Sequence, residues 1–181
     1  MNIRQTQDND LPAICDVHQR AFGADEGPSI VSLLHDLIPD PTAQPMLSLL
    51  AEEEQLVLGH VLFTNVLVAG SEADLSSRIL APLAVIPAAQ KRGIGSRLVQ
   101  AGLDRLREEG VGLVFVLGDP AYYTRFGFQP AGAAGLNAPQ PIPAEHADAW
   151  MVRELESGQI GRVAGEVRCS EVLGRREYWL E

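Results

Sequence analysis

Cysteine is nearly missing from this chain. Cys15 and Cys169 are the only two, too few for a disulfide scaffold and without the paired spacing of a zinc site, so two reduced thiols and no metal are expected. Long apolar runs are missing as well. No stretch approaches the roughly 18 to 20 residues of a membrane span, and the longest strand-like run, Leu56 to Gly70, is interrupted by His60, Thr64 and Asn65. Asn2, Arg4, Gln5 and Asp8 break any signal-peptide core. The expectation is a cytoplasmic protein with no membrane partner. Basic charge is scarce too, with 14 Lys and Arg against 24 Asp and Glu and a net charge of −10. Such a field repels a phosphate backbone unless basic residues segregate on one face, so nucleic acid is not an expected partner. A cationic partner such as an amine is weakly favoured.

What is present is an ordinary globular composition: 181 residues, 46% hydrophobic and 21% charged, enough for one domain (1–181) with a substantial core. Asn2 to Thr6 reads as an edge strand. Leu11, Ile14, Val17 and Ala21 mark one helix with Pro12 in its first turn, and a second helix is expected from Pro28 through Leu37. Met46 to Ala51 and Leu56 to Val68 suit a β-hairpin around Glu52 to Gln55. Ile79 to Ile86 is a third strand, with Pro82 demanding a bulge or an unpaired position. Gly93 to Glu109 is strongly amphipathic and Gly110 ends it. Val111 to Leu117 is a continuous apolar run, suited to a central strand covered on both faces. A short helix at Tyr122 to Phe126, a long loop from Ala131 to His146, and strands near Trp150 to Leu155 and Arg162 to Cys169 complete the order. The fold class expected is α+β, a mixed α/β sheet of six or seven strands with flanking helices. Ile79 to Ile86, the Gly93 helix and Val111 to Leu117 form its βαβ unit.

The informative stretch is Gln90, Lys91, Arg92, Gly93, Ile94, Gly95, Ser96, between that strand and that helix. Glycines let the backbone turn and expose N–H groups, and a helix N-terminus adds the positive end of its dipole, a pyrophosphate cradle in combination. Lys91, Arg92 and Arg97 supply positive charge there. A bare Gly-X-Gly also serves as a packing turn. The dinucleotide fingerprint G-x-G-x-x-G fails because Leu98 stands at its third glycine, and the Gly-Lys-Ser/Thr of a phosphate loop is missing.

Gln90 to Gly95 resembles the acetyl-CoA signature Q/R-x-x-G-x-G/A of the GNAT superfamily of N-acetyltransferases. Tyr122 to Phe128 is similar to the family's aromatic-Tyr-x-x-hydrophobic-Gly-Phe segment. Gly59 to Phe63, Leu80 to Val85 and Leu117 to Pro120 resemble its YhbS-like branch, and the likeness covers most of Met1 to Pro130. It implies a GNAT fold whose 1–130 core holds acetyl-CoA, with no metal, and whose 131–181 segment forms the acceptor side. It also implies transfer of acetyl to a primary amine of a small molecule or peptide by direct attack in a ternary complex. By this resemblance the backbone of Leu83, Ala84 and Val85 binds pantetheine, with a Leu83 N–H on the thioester oxygen. Lys91, Arg92, Gly93, Ile94, Gly95 and Ser96 hold the pyrophosphate, Gln90 shapes the loop, and Arg92 or Arg97 reaches outer phosphates. Tyr122 and Arg125 border the cofactor. Tyr123 matches the general acid for the CoA thiolate; packing is the alternative role for both tyrosines. The signature strand carries no carboxylate, leaving Asp119 and His60 as candidate bases beside a turn cap and a structural histidine. Glu145 and Asp148 are candidates to meet a cationic amine. A non-catalytic acyl-CoA-binding module and a different nucleotide-binding α/β protein stay open as alternatives, and the edge strands are compatible with a homodimer.

Overall fold

The computed structural model describes residues 1–71 and 75–179. Strand β1 (Asn2–Gln5) lies at one edge of the sheet, followed by helix α1 (Leu11–Leu37). The two helices expected from the spacing are one element bent at Gly23, where φ is 74°. Its second half starts just after Gly23, one turn before the expected Pro28. A residue with a Cβ resists that left-handed conformation, so the glycine sets the bend. The hairpin of β2 (Leu47–Glu53) and β3 (Leu56–Val68) closes on Glu54 and Gln55 alone, both at positive φ, a tighter turn than the four residues expected.

Strand β4 (Ser77–Val85) pairs antiparallel with β3, and the register shows what Pro82 does. Between the pairs Val61–Leu83 and Phe63–Leu80, β3 advances two residues and β4 three, so a bulge takes up the extra residue at Ala81 and Pro82. Helix α2 (Ile94–Glu108) follows and buries Ile94, Leu98, Val99, Leu103 and Leu106 on the sheet. It lies close enough for the Phe63 ring to occupy the space a side chain at Gly102 would fill. Strand β5 (Leu113–Leu117) is central and, except at Leu117, buried. It runs parallel to Ser77–Leu80 of β4 and antiparallel to β8.

Helix α3 (Pro120–Tyr123) is continued by a 3-10 turn to Phe126 and closed by Gly127 at φ 81°. The 131–146 region is less empty than its composition suggests. Besides β6 (Gln129–Pro130) at its entrance, it contains a short strand, β7 (Leu136–Asn137), and 3-10 turns. Strand β8 (Trp150–Glu154) and strand β9 (Gly165–Arg168) end the sheet, β9 being shorter than the expected 162–169. The sheet order is β1-β2-β3-β4-β5-β8-β6, with β9 on the end of β3 and β7 on β9, nine strands where six or seven were expected. The extra ones are two-residue pairings that hydropathy cannot signal. α1 covers one face over Leu62, Ile79 and Phe115, while α2 covers the other over Leu49, Val61 and Val114. Among the described residues no helix is long and apolar enough to cross a membrane.

Candidate active site

The site forms where β4 and β5 part. They are paired only as far as Leu80 and Val116; beyond that, β4 bonds to β3 alone and β5 continues with β8. The Ile86 N–H donates to the Leu58 carbonyl at 2.9 Å. By the two-residue period of an antiparallel ladder, Ala84 therefore bonds His60 in β3, and the backbone groups of Leu83 and Val85 face the gap. Gln90 confirms this direction, because its Nε2 donates to the Val85 carbonyl at 3.0 Å. The signature glutamine thus straps the loop to the end of the open strand edge.

At one end of the gap is a cavity of about 470 Å³ lined by Val85, Gln90, Lys91, Gly93, Gly95 and Ser96, with Ile94, Tyr122 and Arg125 also on its wall. Gly93 is the α2 N-cap at φ 76°, and Lys91 is also left-handed at φ 63°. The first intrahelical bond runs from the Arg97 N–H to the Gly93 carbonyl, so the N–H groups of Ile94, Gly95 and Ser96 remain for a ligand. A Cβ on Gly95 would sit 2.9 Å from the Tyr122 hydroxyl and fill the cradle. Positive charge comes from Lys91 and from Arg125, whose guanidinium lies 4.6 Å from the Tyr122 ring centre. The other two predicted cations are elsewhere. Arg92 is paired to Glu53 at 2.9 Å, and neither it nor Arg97 lines the cavity.

Tyr122 also borders a second cavity, of about 510 Å³, on the other side of the gap, where Leu83, Asp119 and Tyr123 meet an apolar wall. Tyr123 is 8% exposed and packs edge-on against Tyr122 and Phe128. Its ring lies over Gly118, where no side chain fits. Burial pushes its phenol well above the ordinary tyrosine range, with a smaller push from Tyr122, so the hydroxyl stays protonated. Asp119 caps α3 by accepting the Ala121 N–H at 2.9 Å while it borders the same cavity. Ala84, by contrast, is buried at 4% exposure and its backbone groups bond His60 in β3, so of the three strand residues expected to meet pantetheine it is the one turned away from the gap.

His60 is not brought to this place. It is fully buried, and its ring nitrogens face Ser48 Oγ at 2.8 Å and His18 Nε2 at 2.9 Å. Burial drives its pKa well below the ordinary value, with His18 pushing the same way and Asp10 opposing. A histidine that is held neutral with both nitrogens engaged braces α1 against β2 and β3; it takes no proton from a ligand in the gap.

A third cavity, of about 640 Å³, shares Phe22, Ile30, Leu117, Tyr178 and Trp179 with the second. The long loop does contribute to it, through Ile142 and His146. The carboxylates on its wall are Asp25, Glu26 and Glu177, not the expected Glu145 and Asp148. Residues beyond Cys169, expected on the acceptor side as part of 131–181 but with none singled out, line these cavities through Leu173, Glu177, Tyr178 and Trp179. Val172 N–H donates to Asp40 Oδ2, Glu171 N–H to Thr42 Oγ1, and Arg175 pairs with Asp36 at 2.8 Å. The signals available were Tyr178 and Trp179, two aromatics in a charged tail. Among the described residues no cluster of His, Cys, Asp or Glu is arranged to hold a metal.

An open strand edge leading to a glycine-turned helix N-terminus is the architecture of an acyltransferase that uses a nucleotide thioester. Residues 2–131 match the acetyltransferase (GNAT) domain family, and the chain belongs to that family. It is 42% identical over 167 residues to the N-acetyltransferase YjhQ of Escherichia coli K12, covering 92% of this chain and 90% of the relative. The crystal structure of the GNAT family N-acetyltransferase YhbS from Escherichia coli in complex with CoA aligns with a TM-score of 0.84 at 34% identity, over 96% of this chain and 92% of that one. A GNAT acetyltransferase from Brucella melitensis in complex with acetyl-CoA aligns at 0.69 with 31% identity, covering 95% and 97%.

Proposed function

We propose that this acyltransferase moves the acetyl group of acetyl-CoA to a primary amine by direct attack in a ternary complex. The carrying observation is the continuity of the cradle at the α2 N-terminus with the strand edge at Leu83 and Val85, which lies outside the β3 ladder and where only the Val85 carbonyl is taken, by Gln90. Pyrophosphate takes the N–H groups of Ile94, Gly95 and Ser96, and Lys91 and Arg125 add charge. The pantetheine arm lies along β4 in place of a strand, the recognition mode of an open sheet edge. The amine nitrogen attacks the acetyl carbonyl carbon and the oxygen gains charge, which the Leu83 N–H stabilises. The new C–N bond forms, the C–S bond breaks, and the departing thiolate receives a hydrogen bond and then a proton from the Tyr123 side. Asp119 accepts the proton that the amine loses, with one oxygen still capping α3. The whole chain acts as one domain, its acceptor side built from the bend of α1 as well as from residues 131–181.

Calorimetric titration with acetyl-CoA, CoA and NAD tests the cradle. Micromolar acetyl-CoA binding that Gly95→Leu abolishes is the expected outcome, and a preference for NAD overturns it. Tyr123→Phe tests the chemistry. Acetyl-CoA affinity should hold within about two-fold while kcat falls roughly 100-fold, the scale of a lost general acid. Unchanged turnover removes Tyr123 from the reaction.

A further inference from the structure

The two cavities beyond the gap carry information about the acceptor that the donor site does not. The inner one is largely apolar, with Phe22, Ile30, Leu33, Val116, Tyr178 and Trp179 on its wall, and Asp119 is its only carboxylate among the described residues. The outer one continues from it and bears Asp25, Glu26 and Glu177. Among the described residues no lysine or arginine lines either cavity. At about 510 Å³ the inner chamber is within the range of small-molecule sites, roughly 300 to 1,000 Å³.

We infer that the acceptor is a small cationic amine on an apolar, ring-sized body, of the arylalkylamine type, its body held by Phe22, Ile30 and Tyr178 and its nitrogen reaching Leu83 and Tyr123. This rests on the acetyltransferase reading above. Three physical arguments select that class. The acidic outer cavity raises the local concentration of a cation before it enters. The apolar inner wall disfavours an ammonium and so lowers its pKa, which makes the free amine that attack requires. A polyhydroxylated amine or a peptide would bring more hydroxyls or backbone amides than this wall can pair, since its side-chain partners are Asp119 and the hydroxyls of Tyr122, Tyr123 and Tyr178. α2 has no part in this selectivity, and β4 and β5 supply only part of the chamber wall, from Ile79 to Leu83 and at Val116 and Leu117. The rest comes from the bend of α1 at Gly23, which brings Phe22 and Ile30 to the chamber, and from the tail, which brings Tyr178.

The experiment measures CoA release from acetyl-CoA with phenethylamine, with kanamycin as the polyhydroxylated amine, and with a short peptide carrying a free N-terminal alanine. Phenethylamine is expected to have the highest kcat/KM. Phe22→Ala and Tyr178→Ala should each raise its KM about ten-fold or more, the scale of lost apolar contacts in a pocket, with acetyl-CoA affinity unchanged. A preference for kanamycin or the peptide overturns the acceptor class and leaves the transferase reading standing, as does acetyl-CoA binding without turnover of phenethylamine. A KM that neither substitution moves overturns the assignment of the chamber wall. Failure of the unmodified protein to bind acetyl-CoA brings down the transferase reading and this inference with it.

Discussion

Acidification should weaken this protein through two histidines well before its carboxylates are protonated. His18 and His60 are buried face to edge, their rings 5.1 Å apart, and burial pushes His18 down to about 3 from 6.5. The sign follows from proton uptake. Between those two values the unfolded chain binds a proton that the folded chain refuses, so stability is full above about pH 6.5 and is lost as pH falls. At about pH 5, integrating the difference for His18 gives about 2 kcal/mol, and His60 adds in the same direction. That is a sizeable part of the roughly 5 to 15 kcal/mol typical of a folded domain. Asp10, held below its ordinary value by Arg4, and Asp40, held down by bonds from Thr42 and Val172, work with the opposite ionisation. Their contribution persists above about 3.8 and is lost below it, so the two effects occupy separate windows. Urea titrations at about pH 7 and pH 5 provide the assay. With a slope of about 2 to 3 kcal/mol per molar for a chain of this size, the midpoint should fall by about 1 M. A midpoint that stays level across that range, or a His18 resonance titrating near 6.5 in the folded protein, refutes the reasoning.

Four substitutions address other parts of the molecule. Gly118→Ala places a methyl where the Tyr123 ring lies, so kcat should fall at least ten-fold with acetyl-CoA affinity nearly intact, read by steady-state kinetics beside calorimetry. Arg125→Ala should weaken acetyl-CoA binding several-fold, and the loss should shrink as salt rises, because the lost charge is exposed. Asp119→Asn keeps an oxygen for the Ala121 N–H but cannot take a proton. Its activity should drop at neutral pH and recover as pH rises and the amine deprotonates by itself, with the melting temperature unchanged. Gly102→Ala drives a methyl into the buried Phe63 ring and should cost about 1 to 3 kcal/mol by chemical denaturation.

The donor half of this protein is legible in its sequence because backbone geometry, which glycine and proline encode, shapes it. Pro82 marks the bulge after which β4 and β5 separate, Gly93 and Gly95 mark the turn that exposes N–H groups, and Gln90 marks the strap. Side-chain contacts across long separations are not legible in the same way. Arg92 is a candidate for the outer phosphates by the family resemblance, and its partner in the fold, Glu53, stands 39 residues earlier. His60 was a candidate base because it stands alone in an apolar strand. Its partners Ser48 and His18 come from β2 and α1, so pattern within one strand could not reveal that they already occupy both ring nitrogens. The bend in α1 was misplaced for a related reason. Proline at a helix start is a familiar signal, but Gly23 had the freedom to turn the chain, and Pro28 was then accommodated one turn further on.

The acceptor side is placed at 131–181 by the family resemblance, which also sets the loop from Ala131 to His146 beside it. Composition identifies where a chain is irregular, whereas a pocket wall needs side chains held in place. The tail supplies such holding: two backbone N–H groups bond to Asp40 and Thr42, Arg175 pairs with Asp36, and Trp179 donates its indole N–H to the Leu173 carbonyl at 2.8 Å. All but the last of these tie the tail to α1 or to the turn after it. The segment that bends at Gly23 and the segment that carries Tyr178 and Trp179 therefore form one clamp over the open end of the sheet. On the proposed acceptor reading, changing the acceptor while keeping the donor calls for altering these two segments together, since α1 brings Phe22, Ile30 and Leu33 to the chamber and the tail brings Leu173, Tyr178 and Trp179.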